Sequence, residues 1–231
     1  MERQLFNQER MPVRDDERRR ASIRPTRIKG VSERIGTERT ANILMFDISD
    51  STREPISATD YRSKNVGIKD AGSTFIANSP EPAFIGAITF GTRADILFDM
   101  QQRGSDPVEK MINKIQGLHP DGFTAMCEAY QIAGDMISRM KHLDVDVFRI
   151  FTMTDGASTD GNPVPITDDL KRKYPNVQIH SIGFGRPEQM KLDVLRQIAS
   201  VSESGQPFYY HVEDAVKLTG ILKRQSRLRS L

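Results

Sequence analysis

From residue 41 onward, short apolar runs alternate with longer stretches whose apolar residues recur every three or four positions. The run ANILMF (residues 41–46) is nearly continuous in hydrophobicity and stops abruptly at the polar DISDSTRE. A strand covered on both faces has this appearance, because neither side can carry polar residues. A helical stretch follows over about residues 61–77, ending at the turn SPEP. The runs FIGAITF and ADILFDM are separated only by Gly91-Thr92-Arg93, which predicts two antiparallel neighbours joined by a tight connection. Residues 106–117 carry Val108, Met111, Ile112 and Ile115 at helical spacing. A stronger helix is predicted for 124–141, with Met126, Ala129, Tyr130, Ala133, Met136, Ile137 and Met140 on one stripe. The strand VDVFRIFTM, a helix over 166–173, the strand VQIHSIGFG, the helix LDVLRQIASVS, the strand FYYHV and the helix DAVKLTGILKRQ complete the series.

Strands alternate with helices apart from the single hairpin. That order predicts a three-layer α/β fold, a doubly wound sheet that is mostly parallel with one antiparallel edge strand. Residues 1–40 show neither helical nor strand periodicity and are rich in arginine. They are expected to form a basic, flexible arm, with the folded domain spanning 41–226 and a basic tail over 227–231.

Charge sharpens this division. The net charge of +2 conceals eleven Arg and Lys against seven Asp and Glu in the first forty residues, and four basic residues with no acid in the last ten. The body between them carries eighteen basic and twenty-four acidic residues, so it is acidic while the ends are basic. Arg18-Arg19-Arg20 and the cluster Lys223 to Arg229 could track phosphates, but no aromatic interleaving or folded reading motif accompanies them, and solvated tails explain them better. Arg19-Arg20-Ala21-Ser22 also has the form of a basophilic kinase target at Ser22.

The chain of 231 residues reads as one domain with tails. No run approaches the roughly 18 apolar residues of a membrane span. The N-terminus lacks the apolar segment of a secretory signal, and a single cysteine, Cys127, excludes an intrachain disulfide. These features place the protein in a reducing compartment, with a cytoplasmic location expected. Cys127 falls in the first turn of the helix beginning near Thr124, among apolar neighbours, and is expected to be packed and inert.

In an open α/β sheet, the ligand site lies outside the carboxyl ends of the strands. Three polar loops should meet there: Asp47-Ile48-Ser49-Asp50-Ser51, Asp121-Gly122-Phe123-Thr124 and Thr154-Asp155-Gly156. They offer carboxylates and hydroxyls and almost no imidazole or thiol. Hard oxygen ligands select a hard cation, Mg²⁺ first, with Mn²⁺ or Ca²⁺ as further candidates. Asp47 and Asp155 would balance a divalent charge, and Ser49, Ser51 and Thr124 would add neutral, weakly donating hydroxyls. An ion held this way stays electrophilic enough to take a carboxylate from elsewhere.

The pattern D-x-S-x-S after the first strand, a threonine opening a later helix, and T-D-G after a buried strand resembles the metal-ion-dependent adhesion site of von Willebrand factor A domains. The resemblance extends over about residues 41–226, including the I-G-F-G end of a late strand. It implies that Asp47, Ser49, Ser51, Thr124 and Asp155 hold the metal, some through water. It also implies a non-enzymatic module that binds an Asp or Glu of a protein partner through the ion. The setting it implies is a scaffold subunit of an intracellular assembly, or the partner of a MoxR-type AAA+ ATPase. The chain departs from the family pattern at Asp50 between the two serines, at Phe123 before the threonine, and at Thr52 where a methionine is common. Asp50 and Phe123 are accordingly the residues expected to touch a partner, and Asp50 and Asp121 would add negative potential there.

Each loop also has a plainer reading. Asp47 to Ser51 could be an Asx-type turn opening a helix, Thr124 a helix N-cap, and Asp155-Gly156 a turn. The coincidence of three such loops, each at the predicted end of its element, favours a site. A metal-dependent phosphohydrolase would need an acid two residues beyond its nucleophilic aspartate, where this chain has Ser49; no Gly-x-Ser-x-Gly elbow or phosphate loop occurs either. Of the four histidines, His180 lies within a strand and reads as packed, while His119 could approach the site but has no nucleophile beside it.

Overall fold

The structure, a computed structural model, describes residues 38–104 and 107–227. Its elements are β1 (Thr40–Asp47), α1 (Lys64–Asn78), β2 (Ala83–Phe90), β3 (Ala94–Gln102), α2 (Val108–Gln116), α3 (Met126–Arg139), β4 (Val147–Thr154), α4 (Val164–Lys173), β5 (Val177–Phe184), α5 (Leu192–Ile198), β6 (Tyr209–Val212) and α6 (Ala215–Arg227). The strands form one six-stranded sheet in the order β3-β2-β1-β4-β5-β6. Only the β2–β3 pairing is antiparallel, so the single hairpin supplies the one reversed strand and it lies at an edge. The chain winds outward in both directions from β1, and the reversal of strand order falls between β1 and β4.

The pleat explains the near-continuous apolar runs. Along β1, Ile43 and Met45 enter the core under α3, whereas Leu44 and Phe46 enter the core under α1 and α6. β4 divides the same way, with Phe148 and Ile150 on one face and Phe151 and Met153 on the other. Both central strands are thus buried on both faces. Helix α1 approaches the sheet closely because it carries glycine at the contact: a Cβ on Gly67 would lie 2.6 Å from Phe184, and one on Gly72 would lie 2.5 Å from Phe46.

Local differences from the predicted elements have identifiable causes. Helix α1 starts at Lys64 rather than near Tyr61, because the Ser63 hydroxyl accepts from Val66 N and caps it there. Helix α5 stops at Ile198, because Ser200 turns back onto β5: its N–H donates to Ile179 O and its hydroxyl accepts from Ile179 N, both at 2.9 Å. Near the expected boundary after residue 40, the described residues pack against the sheet. Thr40 already pairs with both Ala83 and Val147, Asp146 N donates to Arg39 O while Arg39 N donates to the Asp146 carboxylate, and Glu38 lies 3.6 Å from the buried Arg149 guanidinium. The domain therefore reaches back to Glu38. At the other end α6 continues to Arg227, one residue beyond the expected limit. The rest of the basic arm, including Arg18–Arg20 and Ser22, and the tail beyond Arg227 lie outside the described residues. Among the described residues, no helix is long and apolar enough to cross a membrane.

Candidate functional site

The three polar loops do meet, and backbone hydrogen bonds join them before any side chain contributes. Ile48 N donates to Phe90 O at the end of β2, and Asp50 N donates to Gly122 O at 2.9 Å. Thr92 N reaches Asp121 O at 3.1 Å, and Ala125 N reaches Gly91 O at 2.9 Å. Thr159 N donates to Thr124 O while Thr124 N donates to Thr159 Oγ1, each at 3.0 Å, which fixes the third loop to the second. Two glycines make this approach possible. A Cβ on Gly91 would collide with Asp121 O, and one on Gly122, whose φ is +57°, would collide with Thr92 Oγ1.

Asp47 closes β1 and is fully buried; Asp155 follows β4 and is almost so. The Asp47 carboxylate accepts from Ser49 N at 2.9 Å and from the Thr154 hydroxyl at 2.5 Å. The Ser49 and Ser51 hydroxyls are 3.0 Å apart, and Ser51 Oγ donates to Asp155 Oδ1 at 2.8 Å. Thr124, also buried, places its hydroxyl 3.9 Å from where a Cβ on Gly156 would stand, against the Asp155 turn. All five residues singled out in the sequence therefore converge at the carboxyl edge of the two central strands. Among the described residues no three His, Cys, Asp and Glu side chains cluster, so hydroxyls rather than further acids complete the group.

The plainer readings fare unequally. The Asx turn is real, since Asp47 accepts from Ser49 N two residues on. Ser49, however, gives no side-chain cap to the short 3₁₀ turn Asp50–Arg53 that follows it. Helix α3 receives no cap bond from its own N-cap residue, Ala125; the free N–H groups of Cys127 and Glu128 go to the Asp160 carboxylate at 3.0 and 2.9 Å. Thr124 is thus released from the capping role. At the rim, Phe123 is 66% exposed, and Asp50 is also exposed, with Arg53 Nε 3.0 Å from its carboxylate. Much of the negative potential expected from Asp50 is therefore matched locally. His119 is exposed.

Burying two carboxylates together has an electrostatic consequence. Loss of solvation, and then repulsion from Asp155, push the Asp47 carboxyl up from 3.8 to about 7, against the pull of its bonds from Ser49 and Thr154. In this form the site holds more negative charge than its surroundings comfortably solvate. Burial also pushes the Cys127 thiol up, which agrees with the expected inert cysteine.

Residues 43–224 match the profile of the von Willebrand factor type A domain. The chain belongs to the von Willebrand factor type A domain family. Solved type A structures agree in fold. A von Willebrand factor type A protein from Catenulispora acidiphila is 18% identical with a TM-score of 0.66, the match covering 83% of this chain and 42% of that one. Proximal thread matrix protein 1 of the mussel byssus, described with a zinc-occupied MIDAS motif, is 20% identical with a TM-score of 0.63, over 82% of this chain and 45% of its own. BatB from Bacteroides thetaiotaomicron is 16% identical with a TM-score of 0.62, over 80% of this chain and 96% of its own. The present chain thus spans less than half of the first two proteins. No protein with a curated description matches its sequence.

Two residues of this type A domain escape a reading of the sequence. Asp160 caps α3 from a loop thirty-three positions away. Lys64, the first residue of α1, sends its ammonium to Asp155 Oδ2 at 2.8 Å and to Glu54 Oε2 at 3.4 Å, with its side chain only 1% exposed. Neither carries a local signal: a helix-opening lysine has the same pattern whether it points to solvent or across the sheet edge.

Proposed function

We propose that this domain is a metal-dependent protein-interaction module. In this reading Asp47, Ser49, Ser51, Thr124 and Asp155 hold one divalent cation, and an Asp or Glu of a partner protein completes its coordination. The observation that carries the reading is the convergence of two buried carboxylates with three hydroxyls that have no capping duty, at the switch point of the sheet. The donor set fits such an ion. Two carboxylates match a divalent charge, the oxygen donors suit Mg²⁺ first and Mn²⁺ or Ca²⁺ next, and the raised Asp47 carboxyl marks a place where positive charge is wanted. The byssus protein, similar in fold, is described with a zinc-occupied MIDAS motif, which supports a divalent ion for this reading.

Bound there, the cation would supply an electrophilic point that a carboxylate from outside can reach. The chain's own residues do the rest. The Thr154 hydroxyl and Ser49 N–H orient Asp47, while Ser51 and Lys64 orient Asp155. The exposed Phe123 ring at the rim offers an apolar surface for the partner, with Asp50 and Arg53 as a polar edge beside it. The module is non-enzymatic in this reading and serves as a subunit or scaffold of an intracellular assembly. A MoxR-type AAA+ ATPase is one partner that the family resemblance suggests.

Thermal unfolding with and without Mg²⁺ tests the assignment. A ligand bound by the native state alone stabilises by about 2.7 kcal/mol at one hundred times its dissociation constant. Millimolar Mg²⁺ should raise the melting temperature of the wild type and leave that of Asp47→Ala unmoved. A full Mg²⁺ response in Asp47→Ala would remove Asp47 from the site and the reading with it.

A further inference from the structure

Lys64 is an unusual neighbour for a cation site. It opens α1, and its stem passes β5 where Gly185 leaves room: a Cβ on Gly185 would lie 2.9 Å from Lys64 Cε. The φ of Gly185 is +124°, a conformation side-chain-bearing residues rarely adopt, so both the backbone and the space at this point suit the lysine stem. At the far end the ammonium meets Asp155 at 2.8 Å and Glu54 at 3.4 Å. Fully buried lysines are rare and, where they occur, are paired. This one is paired with the carboxylate that the proposed function gives to the metal.

We infer that Lys64 sets the charge of the site, weakening its hold on the cation while strengthening the cation's hold on a partner carboxylate. This inference rests on the metal reading above. Asp47 and Asp155 alone would balance a divalent ion, so that an incoming anion is drawn by the ion's weakly filled coordination and not by any net charge. With the Lys64 ammonium included, the inner group carries one negative charge before the ion binds and one positive charge after. The same fixed charge therefore opposes metal binding and favours the incoming carboxylate, and at the low effective dielectric of a buried group both effects are large. Cation and partner carboxylate then bind with positive coupling, each tightening the hold on the other. A lysine serving only to brace Asp155 would have a different signature, since its loss would weaken both interactions together.

The opposite signs make the experiment. The full chain is titrated with Mn²⁺, following free Mn²⁺ by electron paramagnetic resonance. Acetate is then added to the Mn²⁺-loaded protein, and its displacement of metal-bound water is read from water-proton relaxation. Lys64→Gln keeps a donor for Asp155 but removes the charge; it should bind Mn²⁺ at least about tenfold more tightly and acetate at least about threefold more weakly. Lys64→Arg should restore both values toward wild type. Glu54→Gln, at a side chain 52% exposed, tests the idea without altering a buried position. With that carboxylate neutralised, Mn²⁺ should bind about threefold more weakly or worse and acetate more tightly. Unchanged constants in both Gln variants, or weakening of both ligands together in Lys64→Gln, would overturn the role of Lys64 while leaving the metal reading intact. Failure of the wild type to bind Mn²⁺ in an Asp47-dependent way would overturn both.

Discussion

Replacing His180 with phenylalanine should stabilise the domain, and more so in acid. The imidazole lies in β5, stacked between Phe151 and Phe208 at ring-centroid distances of 4.7 and 4.5 Å. Neither ring nitrogen has a hydrogen-bond partner, and both are buried. An unmet buried polar group costs roughly 1–3 kcal/mol. A phenyl ring keeps the stack and removes the unmet groups, and its slightly larger size costs about 1 kcal/mol or less. The net gain near pH 7.5 should therefore be about 1–2 kcal/mol. Acid adds a second contribution. Burial, and then the Arg149 charge, hold the His180 pKa down from 6.5 to about 3. Because the folded value lies below the unfolded one, unfolding takes up a proton once the pH drops below 6.5, and stability falls until the pH reaches about 3. Each pH unit in that window removes up to about 1.4 kcal/mol, so at pH 4.5 the wild type should have lost roughly 3 kcal/mol that His180→Phe retains. Urea unfolding of both proteins at the two pH values, with chelator present, measures the gap. A lower urea midpoint for His180→Phe at pH 7.5, or a gap that does not widen in acid, would mean that the imidazole is hydrogen-bonded or solvated in solution.

Three further outcomes are expected. In chelator, Asp47→Asn should melt several degrees above wild type at pH 8, because it removes a buried charge; the raised carboxyl also means that wild-type stability falls as pH climbs from about 4 to about 7, a slope differential calorimetry should find flattened in the variant. Asp160→Ala removes two bonds to the start of α3 and should cost about 1–2 kcal/mol, seen as a fall of roughly 2–8 °C in melting temperature; a smaller change would show that water caps the helix equally well. The purified protein should release no phosphate from aryl phosphates with Mg²⁺ or Mn²⁺, and turnover lost in Asp47→Ala would reverse the non-enzymatic reading.

The strands were legible because a strand buried on both faces has no polar alternation to blur its ends. ANILMF, VDVFRIFTM and VQIHSIGFG each stop where the chain leaves the sheet. That the five candidate residues would meet was legible too: they stand at those stops or at the start of a helix, and the topology of a doubly wound sheet brings such places together. What could not be seen is direction across the fold. Lys64 is 91 positions from Asp155, and nothing in KNVGIKDAG shows that its first side chain crosses the end of β5. The attachment of Glu38 to Arg149 and of Arg39 to Asp146 is tertiary, so two polar residues before β1 gave no sign of it.

The bond between the Thr154 hydroxyl and Asp47 joins residues 107 positions apart on adjoining central strands. On a ribosome, Asp47 would be outside the exit tunnel long before Asp155 has been translated, and during that interval the growing chain would have only half of the proposed site. On the proposed reading, no captured ion would guide early synthesis, and premature capture of a partner would be prevented as well. The proposed site would be completed in one step, when β4 slots beside β1, and long-range pairing of this kind is slow relative to helix formation. A domain of the proposed kind would thus become visible to a partner only after its centre is complete.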